Sequence, residues 1–125
     1  SKNYQFVYKP HPADISNSCD RLGLDVKQTD APLAEIVSNF DVVISGHGSS
    51  GGLDAYLAGI KSIVFLDNAS FNLSALRGLD SVKFVSSPLE LAEALTSIAT
   101  LSNEGDIAKD FFLSDPKLRR WTNFI

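Results

Sequence analysis

The sequence predicts an α/β layered fold built on a parallel sheet, and three features carry that prediction. Short, β-branched apolar runs recur between helical patterns along the 125 residues. Two of them, Val42-Val43-Ile44 and Ile63-Val64-Phe65-Leu66, are continuously apolar, the mark of strands covered on both faces. Readable helix boundaries separate the later runs, which is the alternation a parallel sheet needs for its crossovers.

The first strand is expected over Gln5-Phe6-Val7-Tyr8 and the second over Leu24-Asp25-Val26. Asp30-Ala31-Pro32 offers a cap and an early proline for a helix that turns Leu33, Ile36 and Val37 inward, and Phe40 closes it. The third strand follows at Asp41-Val42-Val43-Ile44-Ser45. A short helix is expected over about 50–58, with Gly59 as its left-handed stop. Strands at Ser62-Ile63-Val64-Phe65-Leu66 and Val82-Lys83-Phe84-Val85 come next. Ser87-Pro88-Leu89-Glu90 reads as a capping box with proline at the first helical position, ahead of a stripe of Leu91, Ala94, Leu95 and Ile98. The segment Ser102-Asn103-Glu104-Gly105-Asp106 reads as a loop, and 107–125 as helical with a break at Asp115-Pro116. Phe111, Phe112, Leu113, Leu118, Trp121 and Phe124 are too many large apolar groups for a free tail, so it is expected to dock on this domain or a missing one. The domain boundaries are therefore 1–102 for the α/β domain and 103–125 for the tail.

Composition narrows the function classes. A 44% hydrophobic and 21% charged chain is ordinary for a globular protein, and no run of roughly 18 apolar residues could span a bilayer. Any membrane association would be peripheral, at the cytoplasmic face of the inner membrane. A formal charge of −4 and a pI near 5.0 argue against nucleic acid as a partner, since backbone-driven binding needs a basic face. A small anion is still admissible, because a few oriented donors outweigh net charge locally. The single cysteine, Cys19, excludes an internal disulfide, fits a reducing cytoplasm and reads as a partly buried filler. No zinc spacing and no phosphate-loop signature with its lysine occur, so no metal or cofactor is expected. The chain opens almost directly into its first strand, which suggests a piece of a longer polypeptide whose missing part lies on the N-terminal side.

In open parallel sheets ligands bind beyond the carboxyl ends of the strands. Both histidines fall there: His11 in Lys9-Pro10-His11-Pro12 after the first strand, and His47 in Ser45-Gly46-His47-Gly48-Ser49-Ser50-Gly51-Gly52 after the third. The prolines around His11 restrict its backbone and leave the imidazole little entropy to lose on binding. In the second loop glycines admit close approach of a ligand, and the helix starting near Ser50 offers unpaired N–H groups to an anion. Ser49 and Ser50 add hydroxyl donors, and Asp54, one turn on from Ser50, is within reach of a ribose or sugar hydroxyl. Each residue also has a plain structural reading. His11 can be a rigid turn residue, His47 a loop residue facing water, Ser49-Ser50 a helix cap and Asp54 a partner of the helix dipole.

Two further patterns compete. Gly46-His47-Gly48-Ser49-Ser50-Gly51 matches G-x-G-x-x-G, with Asp67 at about the distance of a ribose-binding acid, which would suit an NAD(P)-binding domain of an oxidoreductase. The helix available is short for that unit, and the loop is third in line rather than first. A hydrolase triad of His11, Ser49 and Asp14 is conceivable, but no G-x-S-x-G elbow exposes the serine.

The Lys9-Pro10-His11-Pro12 segment, followed by Asp41-Val42-Val43-Ile44-Ser45-Gly46-His47-Gly48-Ser49-Ser50, resembles the His-Pro and Ser-Ser motifs of bacterial sialyltransferases and polysialyltransferases. It is similar also to CDP-glycerol glycerophosphotransferases and to capsule or surface-carbohydrate biosynthesis transferases. The continuation from Gly52 to Phe65 looks like the helix and strand that follow the serines in those proteins, and the aromatic tail looks like their C-terminal end. The resemblance implies a Rossmann-like parallel sheet flanked by helices, the C-terminal domain of a GT-B fold. By that resemblance His11 is a donor-phosphate ligand and the acid that protonates the leaving phosphate. Lys9, Pro12, Gly48, Ser49, Ser50 and Asp54 bind the nucleotide or its phosphates. The substrate implied is a CMP-, CDP- or UDP-linked sugar, with no metal, and the partner is an absent N-terminal acceptor domain. The acidic-acidic-glycine motif that supplies the acceptor-side base in sialyltransferases does not occur in this chain. The resemblance thus implies a nucleotide-sugar-binding domain of a cytoplasmic glycosyltransferase of surface polysaccharide synthesis, inactive alone. A nucleotide-sugar epimerase of the same two-domain plan is the alternative within this fold.

Overall fold

The structure is a computed structural model that describes residues 4–16 and 18–98, so the expected tail at 103–125 lies outside the described residues. The chain divides into two compact units, Ser1–Ile36 and Val37–Ile125. Each carries its own parallel sheet, so the α/β layering and strand direction expected from sequence are present. Among the described residues no helix is long and apolar enough to cross a membrane.

In the first unit, β1 (Val7–Tyr8) pairs in parallel with β2 (Lys27–Gln28). Between them lies α1 (Ser18–Arg21), a turn of helix with no counterpart in the sequence prediction. The second strand begins three residues later than its apolar pattern indicates, at Lys27 rather than Leu24. Gly23, at φ 64°, closes α1, after which Leu24 N–H bonds back to the Cys19 carbonyl and Val26 N–H to the Leu24 carbonyl. Those bonds commit the backbone of 24–26 to ending the helix, so the ladder starts on polar, exposed residues. Cys19 is buried, more fully than expected. Beyond β2, Thr29 Oγ1 accepts from Ala31 N–H at 3.3 Å, a side-chain turn that precedes α2 (Leu33–Ile36).

The second unit runs from the 3₁₀ turn Val37–Asn39 through β3 (Val42–Gly46), α3 (Gly51–Leu57), β4 (Lys61–Phe65), β5 (Lys83–Val85) and α4 (Pro88–Ser97). The strand order is β3-β4-β5, all parallel, with Ile44 opposite Ile63 and Phe65 opposite Val85. That register divides the core by parity. Ile63 and Val85 pack with Ala94 and Ile98 of α4 on one face, joined by Val42, Phe65, Leu91 and Leu95. Val64 packs on the other face with Leu76, Leu79 and Val82, joined by Leu53, Tyr56 and Phe84. The stripe expected on α4 is therefore its buried side.

Only β4 fulfils the expectation of a strand covered on both faces. β3 is half-exposed throughout, with Ile44 38% exposed. The reason is coverage: α4 packs on β4 and β5, and α3 packs on β3 and β4. The continuous apolar run of β3 thus reports strand propensity rather than full burial.

Helix ends follow local chemistry closely. Gly59 lies just past α3 at φ 78°, the left-handed stop expected there. Ser87 caps α4 by accepting from Glu90 N–H at 3.2 Å, while Glu90 accepts from Ser86 N–H at 2.7 Å, one residue before the position a reciprocal capping box would use. Lys61 donates to the Ile98 carbonyl at 2.9 Å, placing a cation at the negative end of the helix. Ser87→Ala is expected to cost about 1 kcal/mol, the usual loss for an N-cap hydroxyl, and chemical denaturation reads it directly.

Candidate functional site

The sequence-predicted site residues fall into two groups, one in each unit. Lys9, His11 and Pro12 follow β1, and Gly48, Ser49, Ser50 and Asp54 follow β3. Both groups stand at carboxyl ends of parallel strands, where ligands of open sheets bind.

The first group is organised by a turn. Asp14 N–H donates to the His11 carbonyl at 2.8 Å, making His11 the first residue of a four-residue turn with Pro12 second, the position that its fixed φ suits. The His11 side chain folds onto the same turn: its Nδ1 accepts from Ala13 N–H at 3.1 Å. This is the bond an asparagine makes in an Asx-turn, performed by an imidazole. Because Nδ1 accepts, the neutral ring carries its proton on Nε2. Asp14 is held locally as well, accepting from Ser16 N–H at 2.9 Å, from the Ser16 hydroxyl and, over 3.5 Å, from Tyr8 OH. A hydrolase triad requires Nδ1–H to donate to the acid. Here Nδ1 is taken by Ala13, which contradicts the His11–Asp14 pairing of that alternative. His11, Pro12 and Ala13 are exposed, and Lys9 is half-buried directly after β1.

The second group sits on a loop pinned by the β-ladder. His47 N–H donates to the Phe65 carbonyl at 3.1 Å, continuing the β3–β4 pairing one residue past Gly46. Ser49 N–H then returns to the Gly46 carbonyl at 3.0 Å, closing a turn around His47 and Gly48. The two serines divide their work. Ser49 Oγ accepts from Gly51 N–H at 3.1 Å and so caps α3. Ser50 already has helical dihedrals, φ −72° and ψ −15°, and its hydroxyl makes no cap bond. The expectation of several unpaired N–H groups is therefore met only in part, since those of Ser49 and Gly51 are spent inside the loop.

The glycines also differ from one another. Among the described residues, chain neighbours aside, no atom lies within 4 Å of where a Cβ would stand on Gly46 or Gly48, so these residues leave the space beside them open. Gly52 is a packing requirement: a Cβ there would come within 2.5 Å of Ser45 Oγ, and its carbonyl accepts from the buried Ser62 hydroxyl at 3.2 Å. Asp54 N–H bonds the Ser50 carbonyl at 3.0 Å, confirming the one-turn spacing, and its side chain is exposed. As a carboxylate it repels phosphate, so its chemistry suits a hydroxyl.

Two buried polar atoms to which the sequence assigned no role lie at the end of β3 and the start of this loop. His47 Nδ1 and Ser45 Oγ are buried without a hydrogen-bond partner among the described residues. Burial of an unpaired polar atom is costly, and it contradicts the reading of His47 as a residue simply facing water. The only signal in the sequence was their spacing, i and i+2 at the end of a strand, which puts both on one face. Asp67, the acid of the dinucleotide alternative, is committed to its own loop, accepting from Ala69 N–H at 2.9 Å and Ser70 Oγ at 3.3 Å. A shallow depression on α4 is lined by Ala92, Glu93, Thr96 and Ser97. Its two hydroxyls bond backbone carbonyls of the helix, so it gathers no free convergent donors.

Neither a protein-family model, nor a curated protein, nor a solved structure gives a significant match to this chain.

Proposed function

We propose that this chain is the donor-binding half of a GT-B glycosyltransferase of surface polysaccharide synthesis, taking a CMP-, CDP- or UDP-linked sugar. The observation that carries the reading is the loop after β3. It presents the Ser50 hydroxyl, free of any cap bond, at the first turn of α3, beside open space at Gly46 and Gly48. In the first unit, taken by itself, the outward N–H of His11 is a donor of the kind a phosphate accepts from. In the intact enzyme an acceptor hydroxyl held by the other half attacks the sugar carbon, while Ser49 and Ser50 stabilise the departing phosphate; His11 and Lys9, in the first unit, carry donor chemistry of the same kind. Asp54 accepts from a ribose or sugar hydroxyl. Such an enzyme works in the cytoplasm or at the cytoplasmic membrane face, where nucleotide sugars are available.

The test is a thermal-shift series on the chain with CMP, CDP, UDP and a reduced nicotinamide dinucleotide. A ligand bound only by the folded protein raises the melting temperature. At a hundredfold excess over Kd the stabilisation is about 2.7 kcal/mol, several degrees for a chain of this size. A shift with a pyrimidine nucleotide and none with the nicotinamide is expected. A shift with the nicotinamide alone would favour the oxidoreductase reading.

A further inference from the structure

We propose that the backbone N–H of Ala13 locks the His11 imidazole as the Nε2–H tautomer, so that His11 serves a bound phosphate as a neutral hydrogen-bond donor and not as a proton source. The inference rests on the donor-binding reading for its ligand but on the first unit alone for its geometry. A proline and two hydrogen bonds set the ring. Pro12 fixes the second position of the turn, Asp14 N–H closes it on the His11 carbonyl at 2.8 Å, and Ala13 N–H meets Nδ1 at 3.1 Å.

The chemistry follows from the donor and acceptor inventory of imidazole. A ring whose Nδ1 accepts has one proton, on Nε2, and can offer it to a phosphate oxygen. Transferring that proton outright would leave an imidazolate, a species too basic to form beside a phosphate. Acting as an acid instead requires the imidazolium, whose Nδ1–H would face the Ala13 N–H donor to donor and forfeit the bond that aims the ring. His11 therefore holds the departing phosphate by a hydrogen bond, and the leaving phosphate departs without a proton from this residue. Preorganisation is what the prolines contribute: the ring is aimed before the ligand arrives.

The closing experiment has two arms. In the first, long-range ¹⁵N–¹H correlation on the full 125-residue chain, assigned with His11→Gln, reads the tautomer without any ligand. Protonation of Nε2 alone, with a coupling across the hydrogen bond between the Ala13 amide nitrogen and Nδ1, is expected. A proton on Nδ1, or no such coupling, would overturn the proposal. In the second arm, calorimetry with CMP, CDP and UDP compares two variants. His11→Asn keeps an acceptor for Ala13 N–H but loses the outward donor, and His11→Gln keeps a donor at the reach of Nε2. Asn is expected to weaken nucleotide binding by about tenfold or more, and Gln by clearly less. Equal losses in both variants would overturn the donor role. A wild-type chain that shows the coupling and binds none of the three nucleotides would sink the donor-binding reading and leave the tautomer assignment standing.

Discussion

Ile63→Ala is expected to remove about 2–5 kcal/mol of stability. Ile63 is 0% exposed, lies on the central strand, and packs with Val85, Ala94 and Ile98, all buried. Truncation loses both the transfer energy of the removed carbons and the contacts of the cavity lining. The cavity has little chance to collapse, because β4 is held in parallel register on both sides and the Lys61–Ile98 bond ties α4 to the start of the same strand. Urea denaturation measures the effect. A loss below about 1 kcal/mol would show that the α4 face of the sheet is loosely packed. The core matters for the site as well: the loop after β3 is anchored through His47 N–H on the Phe65 carbonyl, two residues beyond Ile63.

His11→Ala is expected to lower nucleotide affinity by about tenfold or more while leaving the melting temperature nearly unchanged. The two halves of that expectation have separate causes. His11 is exposed, so its removal opens no cavity and forfeits only the local bond from Ala13. A hydrogen bond to a charged phosphate contributes about 1.5–3 kcal/mol, and its loss falls entirely on binding. Calorimetry with CMP, CDP and UDP beside thermal melting of the same preparations separates the two. A large drop in melting temperature would make His11 a structural residue of its turn.

Much of the framework was legible in the sequence, for reasons that particular residues make plain. Val42, Ile63 and Phe84 mark strands because β-branched and aromatic side chains suit a pleated surface, and Gly59 and Ser87 mark helix ends because each supplies what the backbone there lacks. The second strand was misplaced because Leu24 and Val26 look like a strand locally, whereas Gly23 and the Cys19 carbonyl recruit their backbone to close α1. Burial of β3 was overestimated because an apolar run reports what a residue prefers, not how far a neighbouring helix reaches. At the candidate site the residue types were readable and their division of labour was not. Ser49 and Ser50 are identical in sequence, yet the hydroxyl of one accepts from Gly51 N–H at the start of α3 and that of the other, already in helical dihedrals, makes no cap bond. The imidazole of His11 folding onto Ala13 N–H depends on the turn that Pro12 sets, and no spacing rule in the sequence announces it.

The central claim is that the loop after β3 holds a nucleotide phosphate through the hydroxyl of Ser50. Ser50→Ala tests it most directly in nucleotide affinity, because that hydroxyl makes no cap bond whose loss would disturb α3. A hydrogen bond to a charged phosphate contributes about 1.5–3 kcal/mol, so calorimetry with CMP, CDP and UDP is expected to show a loss of about tenfold or more at an unchanged melting temperature. Unchanged affinity for all three nucleotides in Ser50→Ala would contradict it.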